Sequence, residues 1–284
     1  MSTGDQSATA LVGQLKGLDS SNVEVDEEQV APLIGAGSAE EKALLAKMQE
    51  LLAVAGDVDA IAADDQIKLL CLRGRKYDPE RAAELLPKHI AFKKEFGIGA
   101  APYGDQLLDD IRSQKLCHLG TKDADGRAVL WIRLRHHDPS KSKAEDMARL
   151  IPTVMLSALT DPDVQRLGIT IVQDMTGLKL KNLDPATAKM LMGRVFPNLP
   201  IRIGRICIFN PPWVVGHIIL PIALTLMSKK LRGRIALIKD SDHAKLLPYV
   251  PASSLPTELG GTAQFDEGKW SEGLIASLNV PVKV

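Results

Sequence analysis

Residues 213–227 read WVVGHIILPIALTLM, held between Asn210-Pro211-Pro212 and Ser228-Lys229-Lys230-Leu231-Arg232. The stretch is apolar on every side, so it offers no stripe for a core with a wet face opposite. Such a helix belongs inside a large protein, in a bilayer or against lipid. At about 1.5 Å per residue it would run roughly 22 Å, short of the roughly 30 Å bilayer core. Pro221 falls within it, removes an amide donor and favours a kink. The stretch is therefore a poor transmembrane span. Two readings stand: a buried core helix, or a lid over an apolar cavity whose basic C-terminal run touches a charged surface.

Working outward, the 284-residue chain has ample apolar material for one large domain or two modest ones. Its 35 Lys and Arg balance 35 Asp and Glu, so any electrostatic partner must be met by a local patch. No feature points to nucleic acid. Cys71, Cys117 and Cys207 lack close pairing or zinc spacing, and free buried thiols in a reducing compartment are expected. Residues 1–12 lack a basic start followed by an apolar run, so a secretory leader is not expected. No apolar run reaches 18 residues. A cytoplasmic protein is expected.

Residues 1–38 mix small polar residues and acids around short apolar runs, and predict a loose extension with one short helix from Glu27 to Ile34. Ser38 followed by Glu41 is a capping box opening a helix that ends near Gly56. Asp65–Gly74 reads as a second helix. Asp78-Pro79 caps a third that Gly97 stops. Residues 39–104 thus form a helical bundle. Texture then changes. Strands are expected at Ala128–Leu134, Ile169–Met175, Ile203–Phe209 and Ile235–Ile238, the first introduced by a turn at Asp123–Gly126. Helices at 142–159 and 184–196 alternate with them, which implies crossovers and a largely parallel sheet. One sheet face must be covered by something else, and 213–227 is the candidate of sufficient length. Residues 105–265 form this domain, and 266–284 read as a C-terminal tail.

Enzyme signatures are missing. The chain has no G-x-G-x-x-G after a strand, no P-loop and no G-x-S-x-G elbow. His136-His137-Asp138 reads as a solvated turn, since adjacent strand-end residues point to opposite faces and no third ligand is well spaced. His217 is expected to hydrogen-bond locally. Asp174 ends a strand, where open sheets place sites, but caps the Thr176-Gly177 turn on the plainer reading. No acid, base and nucleophile assemble, and a non-enzyme is expected.

Six stretches resemble the CRAL-TRIO lipid-binding family in its order: LLCLRGRKYDPERAAELL (69–86), DGRAVLWIRLRHHDP (125–139), GITIVQDMTGL (168–178), FPNLPIRIGRICIFNPPW (196–213), KKLRGRI (229–235) and LPTELGGT (255–262). Together they cover roughly residues 40–265. The resemblance implies an α/β architecture: an N-terminal helical bundle, then a CRAL-TRIO βαβ domain. Its mostly parallel sheet would floor a lipid cavity closed by an apolar gate helix, on which residues 213–227 fall. The pattern is most similar to the α-tocopherol and retinaldehyde carriers. They contact phosphoinositide headgroups through a basic cleft, whose matching positions here are Arg73, Arg202, Lys230, Arg232 and Arg234. Members that exchange phosphatidylinositol carry a gate lysine. Here no lysine or arginine lies between Asn210 and Lys229, which favours an apolar cargo.

Strand parity suggests the lining. Leu130, Ile132 and Leu134 share one face, as do Ile169, Ile171 and Gln173. Met155, Leu191, Val195, Ile206 and Ile208 are expected to join them, with Val214, Val215 and Ile218 closing the cavity. Gln173 would be the polar group that orients a hydroxyl or carbonyl. For each apolar residue, plain core packing is the alternative. The expected function is non-enzymatic binding and intermembrane transfer of a small hydrophobic lipid, with no other cofactor and with transient, peripheral contact to anionic membranes. The alternative is a lipid-sensing adaptor that holds its lipid and recruits a protein partner.

Overall fold

The computed structural model describes residues 34–219 and 232–278. The expected helix at 27–34, apart from Ile34, and the gate beyond Ile219 lie outside them.

Ser38 starts helix α1 (Ala39–Ala55), its Oγ accepting the Glu41 amide at 3.1 Å. Half of the capping box forms. Glu41 turns its carboxylate inward, accepting the Gly37 amide at 2.7 Å and the Arg73 guanidinium. Gly56 ends α1 at φ 72°, the left-handed conformation a side chain resists. A short helix, α2 (Val58–Ala62), was not legible because one turn carries no periodicity. Next come α3 (Asp65–Gly74) and α4 (Pro79–Phe96), the latter capped by Asp78 with Pro79 at its first position. Met48, Leu52, Leu72, Ala82, Leu85 and Leu86 fill the space between these helices. Ile34, expected in a loose extension, is buried in the same cluster.

Helix α5 (Asp105–Arg112) leads into the sheet. Among the described residues the strands form one five-stranded sheet in chain order: β1 (Leu116–Lys122), β2 (Ala128–Arg133), β3 (Ile169–Asp174), β4 (Ile203–Phe209) and β5 (Ile235–Ile238). β1 corrects the sequence reading. Asp123–Gly126 does not merely introduce β2 but closes an antiparallel hairpin with β1. The strand escaped notice because its pairing shifts between His118 and Lys122, around Gly120 at φ 72°, which breaks the alternation. The other pairings are parallel.

Parallel neighbours need crossovers, and crossovers are right-handed. With β2 to β5 laid side by side in order, successive right-handed crossovers fall on one face. Helices α6 (Ala144–Ser157) and α8 (Pro185–Met190) accordingly share the face of Leu130, Ile169 and Ile171, with α7 (Pro162–Leu167) closing the first crossover. The described start of the stretch 213–227 does not cover the face left bare by these helices, contrary to expectation. Val214 and Val215 pack on the helices' own face. Leu246, Val250, Leu255 and Leu259, from irregular chain after β5, cover the opposite one against Trp131, Val172, Cys207 and Phe209.

The chain after Phe265 is likewise no tail as far as it is described. It forms α9 (Glu267–Leu278), which buries Leu274 and Ile275 in the main core. Arg112 meets Glu272 at 2.9 Å, and the Arg133 guanidinium pairs with Glu267. The helical bundle is seamed to the sheet domain by close contact. At Gly74 a Cβ would stand 2.6 Å from the Pro200 carbonyl oxygen, so a side chain there would push the two apart.

Candidate functional site

Strand register turns parity into geometry. Leu130, Ile171, Ile206 and Ile235 form one cross-strand row, and Ile132, Gln173, Ile208 and Leu237 form the next. Both rows point to the helix-covered face. The first is fully buried at Leu130 and Ile171, under α6, but only half-buried at Ile206 and Ile235. In the second, Ile132, Gln173 and Leu237 are half-buried. Central strands of a parallel sheet are ordinarily covered on both faces. On β4 the opposite-face Cys207 and Phe209 obey that rule, whereas Ile203 and Ile206 do not. Accessible apolar surface thus remains on one face, toward β4 and β5.

Thirteen of the fourteen expected lining residues lie on this face. Leu130, Met155, Ile169, Ile171 and Val195 are in its buried part, with Ile132, Leu191 and Ile206 packed against them. Ile208 and Val215 form an adjoining cluster with Leu134 and Val214 at its edge, and Ile206 touches both groups. Gln173 sits between them. The Ile218 side chain lies outside the described residues. Leu183, Ile235 and Leu237 join the same surface and were missed. In β5 the alternation was legible, but its position beside β4 was not.

Gln173 is the one polar side chain in these two rows. Its carboxamide has no hydrogen-bond partner among the described residues, while offering two donors and an acceptor. Its neighbour Asp174 faces the other way and is consumed structurally. One carboxylate oxygen accepts the Thr176 amide at 2.9 Å, as the turn reading expected, and the other pairs with Arg135 at 2.5 Å.

The expected basic positions divide. Arg202 is crowded by Arg127, Arg166 and Arg234, and its guanidinium donates to the Arg166 carbonyl. Burial first, and these like charges second, push its pKa down to about 10. Arg234 donates to the Ile203 carbonyl at 2.6 Å, and Arg232 is exposed. Lys230 lies outside the described residues. Arg73 is the correction. It is 4% exposed, held by Glu41 at 2.7 and 2.9 Å and by the Gln165 carboxamide oxygen at 2.7 Å. Burial alone would raise the Glu41 pKa. The Arg73 bonds and the Gly37 amide outweigh it and hold the carboxyl below the usual range. Arg73 is thus a seam between the bundle and α7, not part of an open cleft.

The remaining polar candidates are local. His217 Nδ1 lies 3.0 Å from the Trp213 carbonyl oxygen, and the two rings stack. His136 is exposed, as a turn residue should be, with Nδ1 3.0 Å from the Ser113 carbonyl oxygen. His137 departs from the solvated-turn expectation. It is buried with both ring nitrogens unpartnered, and the Asn182 carboxamide donates to its carbonyl oxygen at 2.8 Å. All three cysteines are buried thiols, with burial pushing each pKa up to about 12.

The profile of the CRAL/TRIO domain matches residues 111–261, from the end of α5 through the chain that covers the back of the sheet. The chain belongs to the CRAL/TRIO family. Human alpha-tocopherol transfer protein-like is 30% identical over 219 residues, spanning 75% of this chain and 64% of that protein. Rat clavesin-1 is 24% identical over 240 residues, 81% and 66% of the respective chains. Human tyrosine-protein phosphatase non-receptor type 9 is 25% identical over 209 residues, 73% of this chain, which spans about a third (35%) of that protein's length. The fold of the crystal structure of Sfh5 superposes with a TM-score of 0.50 at 13% identity, covering 86% of this chain and 98% of that one.

CRAL/TRIO membership makes this a chain of a lipid-binding and lipid-transfer family, with the mixed α/β architecture and mostly parallel sheet that the sequence implied. The half-buried rows lie inside the matched CRAL/TRIO segment. Among the described residues no helix is long and apolar enough to cross a membrane.

Proposed function

We propose that this chain binds one small hydrophobic lipid on the sheet face formed by β2 to β5 and carries it between membranes without chemical turnover. The supporting observation is the pair of cross-strand rows in which Ile132 and Ile206, on inner strands, and Ile235 and Leu237, on the edge strand β5, stay partly accessible on the helix-covered face. Each 100 Å² of guest surface taken from water there contributes about 2.5 kcal/mol. Gln173 supplies one hydrogen bond to a hydroxyl or carbonyl, and so fixes which end of the guest enters first. The relative named alpha-tocopherol transfer protein-like supports a cargo of this kind. Stretch 213–227 acts as the gate, and Arg202, Lys230, Arg232 and Arg234 hold the protein at an anionic, phosphoinositide-containing surface.

Mass spectrometry of an organic extract of the purified protein tests the reading, together with Ile206→Trp. Ile206 touches both apolar groups, so an indole there occupies the guest's space. The natural chain is expected to yield a hydrophobic lipid, and the variant at least tenfold less at an unchanged far-UV spectrum. A lipid-free natural chain that also fails to take up lipid from vesicles, or undiminished loading of the variant, overturns it.

The membrane contact has its own test. A basic residue near an anionic leaflet contributes about 1 kcal/mol. Lys230→Glu with Arg232→Glu is therefore expected to slow transfer to anionic vesicles roughly thirtyfold at low salt, and far less to neutral ones. Arg232 is the better choice than Arg234, whose guanidinium holds the Ile203 carbonyl. Equal rates to both vesicle types would remove the basic residues from the mechanism.

A further inference from the structure

Far from the sheet, the corner where α1 turns into α2 carries three large aliphatic side chains in water. Val54 is 88% exposed, Val58 75% and Ile61 44%. Scattered exposed apolar residues need no explanation. Here, however, three of the six large exposed ones among the described residues fall within eight positions, so they form a group. Val58 and Ile61 are three apart on α2 and share a side of it. Their neighbour Ala60 points the other way, into the bundle core.

The surroundings of the group have one sign. Residues 48–67 contain Glu50, Asp57, Asp59, Asp64 and Asp65 and no lysine or arginine. Of the bordering cations only Lys68 meets one of these carboxylates, Asp65. Lys47 is turned to Glu80 at 3.8 Å, and Lys68 is buried, with Nζ on the Ile61 carbonyl at 3.1 Å and on Asp65 at 3.5 Å. Glu50 and Asp59 are exposed and have no partner among the described residues.

The corner also sits apart from the basic edge. Helix α3 starts at Asp65, at the corner, and ends at Gly74, against Pro200 and two residues from Arg202. That is about 15 Å of helix. An anionic leaflet would attract one end of α3 and repel the other, so the acidic corner is not a lipid-docking surface.

We infer that the Val54–Val58–Ile61 corner docks an amphipathic helical segment of a protein partner, apolar along one side and rich in lysine or arginine beside it. The aliphatic side chains supply the contact area, and the carboxylates beside them, Glu50 and Asp59 foremost, choose the charge of the partner and speed its approach. The lipid-binding reading is not needed for this: a chain that never loads lipid would carry the same corner.

Amide chemical shifts of the full-length protein, titrated with a Leu/Lys amphipathic helical peptide, provide the test. Shifts are expected to concentrate in residues 50–66 and to weaken with salt. Val58→Asp is expected to raise the dissociation constant at least tenfold, and a Lys/Gln peptide of equal charge to bind at least tenfold more weakly. Val58 is exposed, so the variant keeps the fold, which its circular dichroism verifies. Equal binding of the Lys/Gln peptide, shifts spread over other carboxylates, or an unaffected variant would overturn the proposal. So would shifts of this corner on anionic vesicles, which assign it to membrane, or a self-association abolished by Val58→Asp, which assigns it to a second copy.

Discussion

Arg73→Met is expected to cost the fold about 3–5 kcal/mol, read as a lower urea midpoint at unchanged slope. The reason is what it leaves behind. Glu41 is buried with Arg73, and its carboxylate accepts two bonds from that guanidinium. Without it, a charge stays in the interior with only the Gly37 amide and the Tyr77 hydroxyl for company. Removing both members is a different experiment. Glu41→Leu with Arg73→Met should recover most of the loss, because an apolar pair of similar volume avoids the desolvation cost altogether. Were Arg73 instead a headgroup contact, the single variant would weaken membrane binding and leave stability untouched.

Acidification is expected to loosen the same seam through His89. The imidazole is buried, and its Nδ1 lies 2.9 Å from the Asn198 carbonyl oxygen, joining α4 to the turn before β4. Burial pushes its pKa down to about 4. The Asn198 carbonyl pulls upward, while Lys93 and Arg75 add to the depression. Between pH 6.5 and about 4 the unfolded chain therefore holds a proton that the folded chain refuses. Stability falls as pH falls across that window and is intact above it. At about 1.4 kcal/mol per tenfold, the loss approaches about 3 kcal/mol near pH 4. His89→Asn keeps a donor for Asn198 and does not titrate. Its urea midpoint should match the natural chain at pH 7 and exceed it at pH 4.5. Parallel midpoints of the two proteins down to pH 4.5 would clear His89 of the effect.

Both sites lie where the bundle meets the sheet domain, together with Gly74 against Pro200 and Arg194 against Glu95. These contacts brace α7 and the turn leading into β4. Their partners stand from 32 positions apart in sequence, for Glu41 and Arg73, to 126, for Gly74 and Pro200, so no local pattern announces them. The same reasoning explains why Arg73 read as a cleft cation: its motif was visible, whereas Glu41 looked like a capping residue.

What the sequence by itself determined is whatever depends on near neighbours. The boundaries of α1 and α4 followed from Ser38, Gly56, Asp78, Pro79 and Gly97, because caps act within one turn. The shared face of Ile169, Ile171 and Gln173 followed from the two-residue repeat of a strand, whatever lies beside it. Residues without such a repeat stayed hidden: β1, interrupted at Gly120, and α2, a single turn. Tertiary structure alone decided the order of the strands. From that order come the face shared by the first two crossovers, the covering of the opposite face by Leu246 to Leu259, and the rows that bring Ile235 and Leu237 to Ile206 and Ile208. Pairing between distant strands is set by the closure of the whole sheet over one core, and no stretch of a few residues carries that information.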